Sequence, residues 1–85
     1  MAYQVEFAPA VDRDFGRLPP DVLPRVDAAI TALADNPRPP GAKKLKDASG
    51  LWRVRVGEYR VLYRIDAAAE VVTIARVRHR REAYR

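Results

Sequence analysis

Between Leu51 and Ile65 apolar and basic residues alternate on either side of a Gly57-Glu58 pair: Leu-Trp-Arg-Val-Arg-Val, then Tyr-Arg-Val-Leu-Tyr-Arg-Ile. Alternation of period two, rich in Val, Tyr and Trp, predicts two half-buried strands, and Gly at the first central position suits a two-residue type II′ turn. Such a hairpin sets Val56 opposite Tyr59, Arg55 opposite Arg60, Val54 opposite Val61 and Trp52 opposite Tyr63. Directly opposed residues share a face. One face (Trp52, Val54, Val56, Tyr59, Val61, Tyr63) therefore reads as core. The other carries Arg53, Arg55, Arg60 and Arg64, with Leu62 the one apolar residue among them. Like charges set directly opposite destabilise a hairpin, so the Arg55–Arg60 pair points to an anionic partner.

The rest of the chain supplies cover for the apolar face. Tyr3, Val5 and Phe7 alternate with Gln4 and Glu6, which predicts a first strand over 2–7. Ala8-Pro9 ends it, and Pro9 suits the first turn of a helix. Val11, Phe15 and Leu18 then fall at i, i+4 and i+7 of a short helix over 9–17, with Asp12, Arg13, Asp14 and Arg17 facing out. After Pro19-Pro20-Asp21, a second stripe (Val22, Val26, Ile30, Leu33, with Leu23 and Ala29) runs to Asn36. Pro24 lies near its first turn, where a missing amide costs least. Asn36-Pro37 stops the helix, because a residue before proline avoids the helical region. Residues 37–50 read as a polar, Pro/Gly-rich connector anchored to the core by Leu45.

Beyond the hairpin, Ala67-Ala-Ala-Glu70 turns the chain into a strand over 71–77. Its consecutive apolar positions suit an inner strand. His79 to Arg85 forms a polar tail. The order strand, helix, helix, then a three-stranded antiparallel meander predicts a single α+β domain over 1–85, one sheet with both helices on one face. The face left open is the one with the arginines.

Composition sharpens this picture. Eighty-five residues make one small domain, and there is no cysteine, hence no disulfide, thiolate metal site or thiol nucleophile. The net charge is +5, and Arg residues are concentrated after position 50. Residues 1–50 hold seven Lys/Arg and seven Asp/Glu, whereas residues 51–85 hold nine Arg and four acids, which supplies the whole excess. A guanidinium fork matches phosphate oxygens, so this half predicts a nucleic-acid or acidic-protein partner rather than solubilising charge alone. No apolar run approaches membrane-spanning length and no signal-peptide pattern opens the chain, so no membrane contact and a cytoplasmic setting are expected.

Most familiar chemistries are missing. One histidine and no cysteine leave too few ligands for a metal site, there is no Gly-rich phosphate loop, and no cofactor is expected. The acids read as solvated helix faces. His79 is the lone imidazole, the group that changes charge near neutral pH, and it stands among Arg78, Arg80 and Arg81. It fits a proton shuttle at an RNA phosphate, although a lone histidine is more often an incidental surface or capping residue. Tyr84 fits stacking on an unpaired base, or capping the edge of the core.

Taken together, Tyr3-Gln-Val-Glu-Phe before a helical pair, Asn36-Pro37, Lys44-Leu-Lys46, Leu51-Trp-Arg-Val-Arg-Val, Glu58-Tyr-Arg-Val-Leu-Tyr-Arg-Ile and the ending Val77-Arg-His-Arg-Arg-Glu-Ala-Tyr-Arg resemble the RelE/ParE superfamily of type II toxin–antitoxin toxins, in its RelE-like branch. The resemblance spans essentially the whole chain. It implies a ribosome-dependent mRNA endonuclease acting in the A site through 2′-hydroxyl attack. It also implies restraint by a RelB-like antitoxin, with operator DNA contacted only through the antitoxin complex. By position, Arg60 matches the family's phosphate-binding arginine, Arg80 the C-terminal basic residue at the leaving group, and Tyr84 the tyrosine that positions the nucleotide. Arg53 and Arg55 stand where such toxins often have lysines, one of them acting as base. Arg64, Arg78, Arg81, Lys43, Lys44 and Lys46 complete the expected RNA-binding set. Arginine keeps its proton at ordinary pH. Proton abstraction then falls to His79 or the ribosome, or this member works by electrostatic stabilisation. Two alternatives follow from the same superfamily: a ParE-like gyrase inhibitor, and a non-catalytic module that represses transcription with its antitoxin.

Overall fold

The computed structural model describes residues 2–47 and 49–82. Strand β1 (Gln4–Phe7) is followed by helices α1 (Ala10–Gly16) and α2 (Leu23–Asp35), then β2 (Lys43–Lys44), β3 (Trp52–Val56), β4 (Tyr59–Asp66) and β5 (Val71–His79). The strands form one sheet in the order β1-β5-β4-β3-β2. The meander β3-β4-β5 is antiparallel, while β1 lies parallel to β5 with Phe7 opposite Ile74. Both helices pack on one face, so the domain is α+β as the pattern predicts.

The central hairpin has the expected register, from Val56 opposite Tyr59 to Trp52 opposite Tyr63. Gly57 takes φ +59 at the turn, the backbone that a first central II′ position requires and that only glycine adopts freely. Val56, Val61 and Tyr63 are buried against Val11, Val26, Ile30 and Leu33 of the helices and Val72, Ile74 and Val77 of β5. Trp52, Val54 and Tyr59 flank that cluster half-buried. Tyr63 is fully buried, and its hydroxyl donates to the Pro37 carbonyl at 2.7 Å. Burial pushes the Tyr63 phenol up to about 12. Arg38 lies over the Trp52 ring, 5.3 Å from its centroid, so the start of the connector is tied to the sheet at two aromatic residues.

Four local expectations differ from the structure. The connector 37–50 contains β2, a two-residue edge strand in which Lys43 opposes Arg53 and Lys44 opposes Trp52. Two residues carry no period, so the pattern does not reveal it. Leu45 is half-buried and lies outside the core cluster; its N–H donates to the Leu51 carbonyl at 2.8 Å instead. His79 belongs to β5 rather than to a tail. Finally, Asp14 does not face out: it is 3% exposed, the one buried charged residue among those described. Asp14 stands three residues after Val11 and four before Leu18, on the same helical stripe as those core residues.

A bulge explains why a carboxylate belongs there. The β4–β5 register shifts between Leu62 and Tyr63, moving from Leu62 opposite Arg76 to Tyr63 opposite Ile74. β1 ends opposite Ile74, so the edge of β5 beyond that point has no strand partner. Asp14 fills the place: its Oδ2 accepts from the Val77 N–H at 2.9 Å, and its two oxygens take Arg76 Nε at 2.9 Å and Nη2 at 3.0 Å. A side chain from α1 thus closes a sheet edge that would otherwise carry an unpaired donor.

Candidate functional site

The open face of the sheet is ordered by register. Arg55, Arg60 and Arg78 form one row across β3, β4 and β5. Lys43, Arg53, Leu62 and Arg76 form the next, across β2 to β5. Arg64 follows, opposite Thr73, with Glu6 beyond it on β1. Leu62 is only 4% exposed although it points away from the helices. Its neighbours on this face by register are Arg53, Arg60, Arg64 and Arg76, and long basic side chains cover apolar surface with their stems while holding their charged heads outward.

The cations are not equivalent. On β5 and its continuation, alternate arginines each hold a carboxylate: Arg76 on Asp14, Arg78 Nη2 on Glu82 at 3.1 Å, and Arg80 Nε on Glu58 at 2.7 Å. Arg53, Arg55, Arg60 and Arg64 on β3 and β4 hold none among the described residues. Arg60 is half-buried; its Nη1 donates to its neighbour's Tyr59 carbonyl at 3.3 Å, and its buried Nε meets no acceptor among the described residues. Ordered like charges with no carboxylate partner among the described residues suit a polyanion with several phosphate oxygens.

Burial alone would raise Asp14. The hydrogen bonds from Arg76 and Val77, with the charges of Arg76 and Arg78, outweigh it and hold the carboxyl below its ordinary range. The same contact with Asp14 pushes Arg76 upward. This pair is permanent fabric. It fixes the bulge immediately before Val77 and Arg78 and so sets the direction of the last arginine in the row.

His79 lies elsewhere. It opposes Tyr59 in register, on the helix-side face, and the two rings meet edge to face with centroids 5.3 Å apart. Its Nδ1 accepts from the Arg81 N–H at 3.2 Å, so in the neutral ring the proton sits on Nε2. A cavity of about 90 Å³ beside it is lined also by Asp14, Arg17, Tyr59 and Glu82. The structure therefore does not bring His79 together with Arg55 and Arg60, which occupy the opposite side of the sheet.

Of the other expected residues, Lys43 joins the arginine face, whereas Lys44 opposes Trp52 and belongs to the helix side. Lys46 and Arg81 are exposed just beyond β2 and β5. Arg80 stands at the hairpin-tip end, where its N–H donates to the Glu58 carbonyl at 2.8 Å. Tyr84 lies outside the described residues. No group of three His, Cys, Asp or Glu side chains able to hold a metal occurs among the described residues. Sequence reasoning missed the three carboxylates. Asp14 announces itself by its place on the stripe, but Glu58 and Glu82 give no local signal, since i,i+4 neighbours meet on a helix and Arg78 lies on a strand.

Comparisons place the chain among known proteins. Residues 5–84 match the family model described as the ParE toxin of the type II toxin–antitoxin system parDE. Toxin RelG of Mycobacterium tuberculosis is 38% identical over 86 residues, covering 100% of this chain and 99% of its own length. The fold superimposes on the toxin–antitoxin complex RelBE2 of Mycobacterium tuberculosis with a TM-score of 0.83 at 36% identity, covering 93% of this chain and 92% of that one. It likewise superimposes on the archaeal RelE–RelB complex of Pyrococcus horikoshii, with a TM-score of 0.82 at 27% identity over 98% of this chain and 100% of that one. With the open basic sheet, the helical pair and the β1–β5 pairing all in place, the chain belongs to the RelE/ParE superfamily of type II toxin–antitoxin toxins.

Proposed function

We propose that the protein is a ribosome-dependent endoribonuclease that cuts mRNA in the A site and is restrained by a RelB-like antitoxin. The observation that carries this reading is the Arg55–Arg60–Arg78 row, with Arg53 and Arg64 beside it, spread in register across three strands. In the proposed reaction the 2′-hydroxyl oxygen attacks the adjacent phosphorus and loses its proton. The P–O5′ bond breaks, the 5′-oxygen gains a proton, and a 2′,3′-cyclic phosphate remains. Charge gathers on the phosphoryl oxygens in the transition state, and prearranged donors aimed there supply most of what arginines can offer. Arg60, central in the row between Arg55 and Arg78, is the candidate for that oxygen; Arg53 and Arg55 hold the flanking backbone, and Arg80 stands toward the leaving group.

None of these arginines can take the proton. The side of the sheet on which His79 stands argues against its shuttling protons at the row. Electrostatic stabilisation, with proton acceptors from the ribosome or solvent, is the reading that fits. The antitoxin is expected to cover the basic face, to bring the toxin to operator DNA only as a complex, and to meet it in the cytoplasm. Similarity to RelE–RelB and RelBE2 complexes supports that partner.

The match to the ParE model favours a second reading, inhibition of DNA gyrase. Against it stand the short helices, 7 and 13 residues long, since ParE-type toxins resemble this chain but with a longer helical hairpin. The deciding experiment is a translation reaction on a defined mRNA, mapping new RNA ends with and without ribosomes. Cuts that require ribosomes and fall at a fixed codon position are expected. Intact mRNA together with inhibited supercoiling by gyrase would overturn the ribonuclease reading in favour of the second.

A further inference from the structure

The arginine face divides along one line. Every alternate arginine of β5 and its continuation, Arg76, Arg78 and Arg80, is held by a carboxylate, while the arginines of β3 and β4 are bare among the described residues. The three carboxylates also differ from one another in one graded respect. Asp14 is 3% exposed, holds Arg76 with two hydrogen bonds and accepts a backbone N–H as well. Glu82 and Glu58 are 48% and 59% exposed, and each holds its arginine through one contact. A solvent-exposed single-contact pair is worth little, whereas a phosphate offers a guanidinium two oxygens at once. The first pair is fixed and the other two are exchangeable.

We propose that Glu58 and Glu82 are built-in competitors of the anionic ligand: they occupy Arg80 and Arg78 in the free protein and are displaced by phosphodiesters of single-stranded RNA. This rests on the ribonuclease reading and adds how the face is regulated. The bare arginines of β3 and β4 make first contact. Engagement then spreads toward β5 as phosphates take Arg78 and Arg80 from their carboxylates. A polyanion long enough to span several strands displaces both, while a short or singly charged anion stays on the bare half. The two glutamates thereby set how much RNA backbone must be aligned before the leaving-group arginine is free. They act through Arg78 and Arg80 and are positioning residues, not catalytic ones.

The test uses a fluorescent, uncuttable probe, a single-stranded 2′-O-methyl RNA oligonucleotide, titrated with intact toxin at low ionic strength. Glu58→Gln and Glu82→Gln remove the charge and keep the shape. Each is expected to tighten binding about two- to fivefold and the pair about tenfold, with the gain fading at high salt. Asp27→Asn, on α2 and away from the open face, removes the same charge and serves as reference. Shortening the probe to a dinucleotide is expected to erase the gain. Glutamine variants that bind no better than Asp27→Asn, or gain equally for the dinucleotide, overturn the proposal. If Arg60→Ala weakens binding while the glutamine variants leave it unchanged, only the competitors fall. If the wild type itself shows no saturable binding, the competitor proposal falls, while ribosome-dependent cutting of a defined mRNA decides the ribonuclease reading separately.

Discussion

At the scale of single residues, Asp14 is where the sequence reads most easily in the wrong direction. An aspartate on a helix with charged neighbours passes for solvated surface, yet its spacing from Val11 and Leu18 puts it on the buried stripe. Nothing in the local pattern says that a bulge in β5, sixty residues later, will present an N–H and a guanidinium to receive it. Asp14→Ala leaves that N–H buried and unpaired and is expected to cost roughly 2–3 kcal/mol, a fall in Tm of about 10–20 °C. The pH dependence follows from the direction of its shift. A carboxyl held below its ordinary 3.8 in the folded protein binds fewer protons there than in the unfolded chain. Its contribution is therefore complete above that ordinary value and is lost as pH falls through the lower folded one. Melting Asp14→Asn beside the wild type from neutral pH down to about pH 3 should show the largest gap at neutral pH, narrowing through the acid limb.

Tyr63 reads more directly. Its alternation predicts burial, but the donor bond to Pro37 depends on where the connector lands. Tyr63→Phe leaves the Pro37 carbonyl without that partner and should lower stability by about 1–2 kcal/mol, measurable by urea unfolding. Its phenol, pushed up to about 12 by burial, should remain silent in an alkaline absorbance titration until the pH nears that value.

At the scale of elements, the central hairpin was legible in full. Register, faces and turn are all written within one local stretch, and two residues of turn leave no freedom of pairing. Gly57→Ala forces an alanine to φ +59 with its methyl 3.3 Å from an Arg25 Nη2. That guanidinium is the free end of a flexible chain and can withdraw, so the cost is chiefly backbone, about 1–2 kcal/mol by thermal melting. The converse holds in the next turn, where Glu70 sits at φ +56. Glu70→Gly should raise stability by about 0.5–1 kcal/mol in the same assay. What was not legible is non-local or too short to have a period: the parallel docking of β1 on β5, and β2 with its two residues. Placing the former requires knowing which edge of the meander is left open, a property of the folded sheet and of no segment by itself.

For the whole molecule, the charge pattern and the order of elements told the face, since the basic face is the one the helices leave uncovered, and the resemblance of the motifs told the family. They did not tell how the charges are balanced. Arginines of one sequence pattern become bare on β3 and β4 and paired on β5, because pairing depends on carboxylates brought in from α1, from the hairpin turn and from beyond the last strand. Arg60→Ala is expected to abolish toxicity on induction and to reduce ribosome-dependent cleavage by about 10²- to 10³-fold. Its circular dichroism and Tm should stay close to the wild type. His79→Ala should leave cleavage within a few-fold, in keeping with a ring on the other side of the sheet; a loss as deep as that of Arg60→Ala would return proton transfer to it.

The parallel contact between β1 and β5 also dictates a birth order. Gln4–Phe7 leaves the ribosome well before its hydrogen-bonding partner, Val71–Ile74. Until β5 emerges, β1 has no strand to join and β4 lacks one neighbour, so a nascent chain cannot close its sheet or order the row that ends at Arg78. The basic row therefore comes together late in synthesis, when β5 takes its place between β1 and β4.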